Sequence, residues 1–89
     1  MNIREGILDS LADGGESIIQ IEEYLIFLGI HSFRYDIINE LKTLLRQNKI
    51  YIEYPPSAKG INEIKLDSIK EYWFELTEAG RAEWENIEV

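Results

Sequence analysis

The sequence predicts an α+β fold in which a three-helix bundle is closed by a C-terminal β-hairpin and followed by a short last helix, all within one domain spanning 1–89. Three observations predict it. Apolar residues recur at helical spacing in three successive segments of the first half. The period then drops to two at 49–54 and again at 71–76. Finally, 89 residues with ten aromatics supply material for a single core.

The first segment carries Ile3, Ile7, Leu8 and Leu11 on one helical face, and Asp13-Gly14-Gly15 ends it with residues that tolerate a left-handed cap. Helix one is therefore expected over 2–12. Ser17 offers an N-cap with Gln20 three places on, ahead of a stripe of Ile21, Tyr24, Leu25 and Leu28. Alternatively, Ser17 to Ile19 is a short extended segment that pairs with the hairpin, and the helix starts at Gln20; the pattern leaves both open. Gly29-Ile30-His31-Ser32 reads as a tight connection, with Gly29 supplying the unusual backbone angle, Ile30 plugging the corner and Ser32 capping the next helix. Phe33, Ile37, Ile38, Leu41, Leu44 and Leu45 then form the strongest periodic signal in the chain, helix three. Its opposite face carries Tyr35, Asp36, Asn39, Lys42, Thr43 and Arg46.

A strand comes next at 49–54, with Ile50, Ile52 and Tyr54 on one face and Tyr51 and Glu53 on the other, until Pro55-Pro56 stops the ladder. Its antiparallel partner is 71–76, where Tyr72, Phe74 and Leu76 share a face. Sixteen residues, 55–70, lie between them, with Gly60 and a candidate extended piece at 61–66. Thr77 caps a last helix whose Gly80, Trp84 and Ile87 line one side.

The chain has no cysteine, which excludes a disulfide framework and a thiolate metal site. Its polar start, Met1-Asn2-Ile3-Arg4-Glu5, lacks the apolar run of a signal peptide or membrane span, so a cytoplasmic location away from membranes is expected. The net charge is -8, but its distribution is uneven. Over 31–65, six basic residues (Arg34, Lys42, Arg46, Lys49, Lys59, Lys65) outnumber four acidic ones (Asp36, Glu40, Glu53, Glu63), giving +2 and leaving -10 for the rest. That polarity lets one face approach a polyanion while the acidic remainder stays away.

Helix, helix, glycine-containing turn, long amphipathic helix, strand, loop, strand is the winged helix-turn-helix order. Leu28-Gly29-Ile30 resembles that superfamily's turn, the spacing of Ile38, Leu41, Leu44 and Leu45 resembles its third helix, and Phe74-Glu75-Leu76-Thr77-Glu78-Ala79-Gly80-Arg81 resembles the hairpin exit of MarR-like and PadR-like regulators. The resemblance spans nearly the whole chain and implies transcription regulation through double-stranded DNA. It assigns base contacts to Tyr35, Asn39, Lys42, Thr43 and Arg46 and phosphate contacts to Lys59 and Lys65. Asp36 and Glu40 put negative charge on or beside that face. The competing expectation is an acidic protein-binding module of the same fold, such as an adaptor, an immunity-type inhibitor or a nucleic-acid mimic, engaging a basic protein.

No catalytic constellation is legible, and an enzyme is not expected. The only histidine, His31, falls in a turn, and no serine or acid shows a triad-like relation to it. Gly14-Gly15 lacks the Lys-Ser or Lys-Thr of a phosphate loop. Glu22-Glu23 and Glu83 with Glu85 read as solvated faces, no calcium-loop spacing occurs, and neither metal nor cofactor is expected. Ile26 and Phe27 lie off the main stripe of helix two, and Trp73 has opposite parity to Tyr72 and Phe74. With Trp84, they either pack within the chain or form a surface for a partner or a homodimer.

Overall fold

The structure, a computed structural model, describes residues 1–58 and 72–87. The chain runs α1 (Ile3–Ser10), β1 (Glu16–Ser17), α2 (Ile18–Phe27), α3 (Arg34–Arg46), β2 (Ile50–Tyr54), a 3-10 turn (Pro56–Ala58), β3 (Trp73–Leu76) and α4 (Glu78–Glu85). It is a mixed α+β fold of four helices and one small antiparallel sheet with strand order β1-β3-β2.

Local chemistry accounts for the boundaries. Asn2 opens α1 with a reciprocal cap: its side chain accepts the Glu5 N–H at 2.8 Å, and the Glu5 carboxylate accepts the Asn2 N–H at 3.0 Å. The helix stops at Ser10, earlier than the sequence pattern suggests, and Leu11 caps it. Ser17 reconciles the two readings of its segment. It is the last residue of β1, opposite Trp73, and also the N-cap of α2, exchanging hydrogen bonds with Gln20. The extended piece is Glu16–Ser17, overlapping the expected 17–19 only at Ser17, and the helix begins at Ile18.

Both long helices end in the same hydrogen-bond pattern. After α2, the Gly29 N–H reaches the Ile26 carbonyl and the Ile30 N–H reaches the Leu25 carbonyl, each at 2.9 Å, with Gly29 at φ 76. After α3, Asn48 takes the left-handed position (φ 57), and the N–H groups of Asn48 and Lys49 reach the Leu45 and Leu44 carbonyls. Ile30, half-buried against the core, plugs the corner as expected. Ser32 is not the cap of α3. Phe33 holds that position, and its N–H is met by the Asp36 carboxylate at 3.0 Å. Phe33 therefore precedes the first helical turn and stands 79% exposed instead of joining the core stripe.

The core gathers Ile7, Leu8 and Leu11 of the first helical segment, Ile18, Ile21 and Leu25 of α2, Ile37, Ile38, Leu41, Leu44 and Leu45 of α3, and Ile50, Ile52, Tyr72 and Phe74 of the sheet segments. Helix α1 packs against α2, α3 and α4. Ile50, Tyr51 and Ile52 pair with Leu76, Glu75 and Phe74, but the register shifts between Ile52 and Tyr54. That bulge breaks the alternation, so Tyr54 leaves the Ile50–Ile52 face and is exposed. Tyr72, just ahead of β3, is buried. Thr77 ties the last helix down: its hydroxyl accepts the Gly80 N–H and donates to the Asn48 carbonyl at 2.6 Å, while its own N–H reaches the Lys49 carbonyl at 3.0 Å. Gly60, 61–66, Lys59 and Lys65 lie outside the described residues. Among the described residues no helix is long and apolar enough to cross a membrane.

Candidate nucleic-acid interface

Thirteen residues give α3 a length of about 20 Å. Burial of Ile37, Leu41, Leu44 and Leu45 fixes its rotation about its axis. The opposite face turns outward: Tyr35, Asn39 and Arg46 are exposed, and Lys42 and Thr43 are half-exposed along its edges. Positions 35, 39, 42 and 46 run in one line down the helix. The Thr43 hydroxyl donates back to the Asn39 carbonyl at 3.1 Å and accepts from Arg46 Nη2 at 3.4 Å. Thr43 thereby steadies the guanidinium beside it and keeps little donor capacity of its own.

The two carboxylates near this face are both occupied. Asp36 accepts the Phe33 N–H. Glu40 lies on the flank and meets Arg4 Nη1 of α1 at 3.5 Å. Arg4 is the hub of a half-buried network: Nε and Nη2 fork onto Glu83 at 2.6 and 2.8 Å, and Nη2 also donates to the Gln47 side chain at 2.6 Å. Lys49 Nζ approaches Glu83 at 3.4 Å. The hydrogen bond from Arg4 outweighs the desolvation of Glu83 and holds its carboxyl below the usual value of 4.5; the same bond raises Arg4. Glu22 and Glu83, which the sequence presents as solvated faces, are thus ion-paired, Glu22 through a fork from Arg34 at 2.6 and 2.9 Å. Arg34 and Lys49 are committed to these pairs. Among the described residues, Lys42 and Arg46 are left as α3 cations without a carboxylate partner.

The residues singled out as a surface divide. Ile26 and Phe27 are 74% and 81% exposed, on the outer side of α2, and Phe33 joins them across the turn. Helical periodicity misses Phe33 because the rule does not reach a residue outside the helix. Ile26 and Phe33 line a groove of about 440 Å³ with Gly29, Ile30, His31, Ser32 and Asp36, whereas Phe27 stacks on Tyr24 with ring centroids 6.0 Å apart. Trp73 is partly exposed on the outer side of the sheet, beside Tyr54 and Pro56. Trp84 takes the intramolecular alternative: it packs against the core and its Nε1 donates to Asp9 Oδ1 at 2.9 Å. Asp9 Oδ2 also accepts the Tyr24 hydroxyl, so one carboxylate links α1, α2 and α4, a junction that no sequence spacing reveals. His31 is exposed in the turn, and no three His, Asp or Glu side chains among the described residues gather to hold a metal ion. Comparison of the chain with protein families, with curated proteins and with solved structures finds no match, so the arrangement of these side chains is what bears on function.

Proposed function

We propose that the chain is a winged helix-turn-helix module that binds double-stranded DNA through the outward face of α3. One observation carries the reading: Tyr35, Asn39, Lys42, Thr43 and Arg46 form a polar strip whose two cations have no carboxylate partner among the described residues, while Asp36 and Glu40 are held in other contacts. The element order and the β1-β3-β2 sheet support it, since a short first strand lies beside the hairpin and leaves the third helix free on the outside. In this role Arg46 matches the acceptor edge of guanine and Asn39 the paired donor and acceptor of adenine. Lys42 adds a phosphate or base contact. Lys59 and Lys65, outside the described residues, are assigned to phosphates.

Two to four cations at the interface imply a slope of log K against log salt of about -2 to -4. Titration of labelled duplex by fluorescence anisotropy at ~20 mM and ~200 mM salt tests this. Binding that shows that slope and is lost in Lys42→Glu/Arg46→Glu supports the reading, and absence of binding at ~20 mM salt ends it.

A second reading, an acidic module for a basic protein, is favoured by the charge of -8 and by Glu23, Glu78 and Glu85, which are exposed and make no ion pair among the described residues. Charge reversal at those three removes such binding without disturbing the pairs of Glu22 and Glu83.

A further inference from the structure

We propose that the outer face of the sheet binds an arginine side chain of a basic peptide, with the guanidinium seated between the Tyr54 and Trp73 rings and the Glu53 carboxylate as its counter-charge. The bulge brings the two rings together. Strict alternation would turn Tyr54 inward beside Ile50 and Ile52, but the register shift after Ile52 sets it opposite Trp73, so both aromatic side chains stand exposed on one side of the sheet. With Glu53 and Pro56 they line a recess of about 430 Å³.

The walls select the occupant. Ring faces are electron-rich and attract cations, and Glu53 adds a full negative charge that no Lys or Arg among the described residues neutralises. Glu75, the next outward position along β3 after Trp73, reinforces that field. It accepts the Tyr51 hydroxyl at 3.0 Å and makes no ion pair among the described residues. That bond first, then burial and the charges of Glu75 and Glu53, raise the Tyr51 phenol, so both carboxylates act on the same outward side chain.

An anion is repelled by such a surface, and a purely apolar group would strip water from Glu53 without replacing it. A guanidinium suits it better than an ammonium, because it is planar, stacks on aromatic faces, forks onto a carboxylate and is more weakly hydrated. The site goes beyond the DNA reading and shares no residue with the α3 strip or with Glu23, Glu78 and Glu85, so its failure leaves those readings in place.

The test is titration of the isotope-labelled full chain with acetyl-GRGRG-amide and, separately, acetyl-GKGKG-amide, following the Trp73 indole N–H signal. The expected result is saturable binding of the arginine peptide with a Kd on the order of 1 mM, weaker for the lysine peptide. Glu53 and Tyr54 are exposed, so substitution there leaves the core intact. Glu53→Gln and Tyr54→Leu should each weaken binding by about 2–5-fold, while Tyr54→Phe, which keeps the ring, retains it. Glu85→Gln, the same charge change on α4, should leave it unchanged. Absence of binding at ~10 mM peptide overturns the proposal. So does a lysine peptide that binds as tightly, a Tyr54→Leu chain that binds like the parent, or a Glu85→Gln chain weakened as much as Glu53→Gln. A Trp73 signal that moves with chain concentration alone also overturns it, since a second copy then takes the recess.

Discussion

Gly80→Ala sets helix propensity against packing, and the two predict opposite signs. In a helix, alanine is favoured over glycine by about 0.8–1.0 kcal/mol, so propensity alone makes the substitution stabilising. The fold says otherwise. A Cβ at position 80 would lie 2.8 Å from the Lys49 carbonyl carbon, closer still to its oxygen, and 3.3 Å from Leu76 Cδ2. The nearest obstacle is backbone, which cannot rotate out of the way as a side-chain end can. That same Lys49 oxygen accepts the Thr77 N–H at 3.0 Å, and Thr77 also donates to Asn48, so moving α4 outward pulls on both tethers. Overpacking costs about 1–3 kcal/mol and a disrupted backbone hydrogen bond about 1–3 more, which leaves a net loss of about 1–5 kcal/mol after the propensity gain. For a domain of this size, at about 4–8 °C per kcal/mol, that lowers Tm by roughly 5–40 °C. Thermal and urea unfolding monitored by circular dichroism reads it directly. A variant as stable as the parent, or more so, would mean that α4 does not rest on the α3–β2 corner, and the packing argument would fail.

Two further predictions concern pH. The Tyr24 and Tyr51 hydroxyls donate to Asp9 and Glu75; these bonds first, then burial and the carboxylate charges, push both phenols from 10.0 up to about 12. A raised pKa stabilises the protonated fold, so the contribution is complete below pH 10.0 and is lost as pH climbs toward about 12. In a phenolate absorbance titration, Tyr24→Phe and Tyr51→Phe should each delete a late step; if neither does, the two hydrogen bonds are absent. Glu83 has the opposite sign, since its carboxyl is lowered from 4.5 by Arg4, so its contribution is present above that value and fades as acid protonates it. Glu83→Gln should flatten the acid limb of the stability curve, and an unchanged limb refutes the network's role.

The features legible in the sequence are those set by rules that act over a few residues. The 3.6-residue stripe of α3, the alternation of Ile50 and Ile52, and the caps at Ser17 and Thr77 are local, and the fold honours them. Tyr54 departs because a bulge is set by how two strands meet, not by one strand's pattern. Phe33 departs because the Asp36 carboxylate meets its N–H and makes it a cap, where wheel position loses meaning. At the candidate site, the outward face of α3 is legible as the complement of its apolar stripe. Which of its neighbouring charges are free is not, because Arg4 and Glu83 are far apart in sequence and meet only once α1 and α4 pack.

That pairing bears on how an acidic chain could still bind a polyanion. Glu40 stands at the flank of α3 and Glu83 on α4, and both are ion-paired to Arg4. Arg4 draws both carboxylates toward the α1 side, and Asp36 serves its own helix terminus, so the two cations keep their field while the total charge stays at -8. At a Debye length of about 8 Å in physiological salt, a phosphate at the strip feels Lys42 and Arg46 more than the distant acids. Local sorting of charge can thus outweigh the sum. Under the proposed DNA reading, Arg4→Ala would release Glu40 and weaken duplex affinity in the anisotropy titration without removing any residue of the strip, and an unchanged affinity would refute that role.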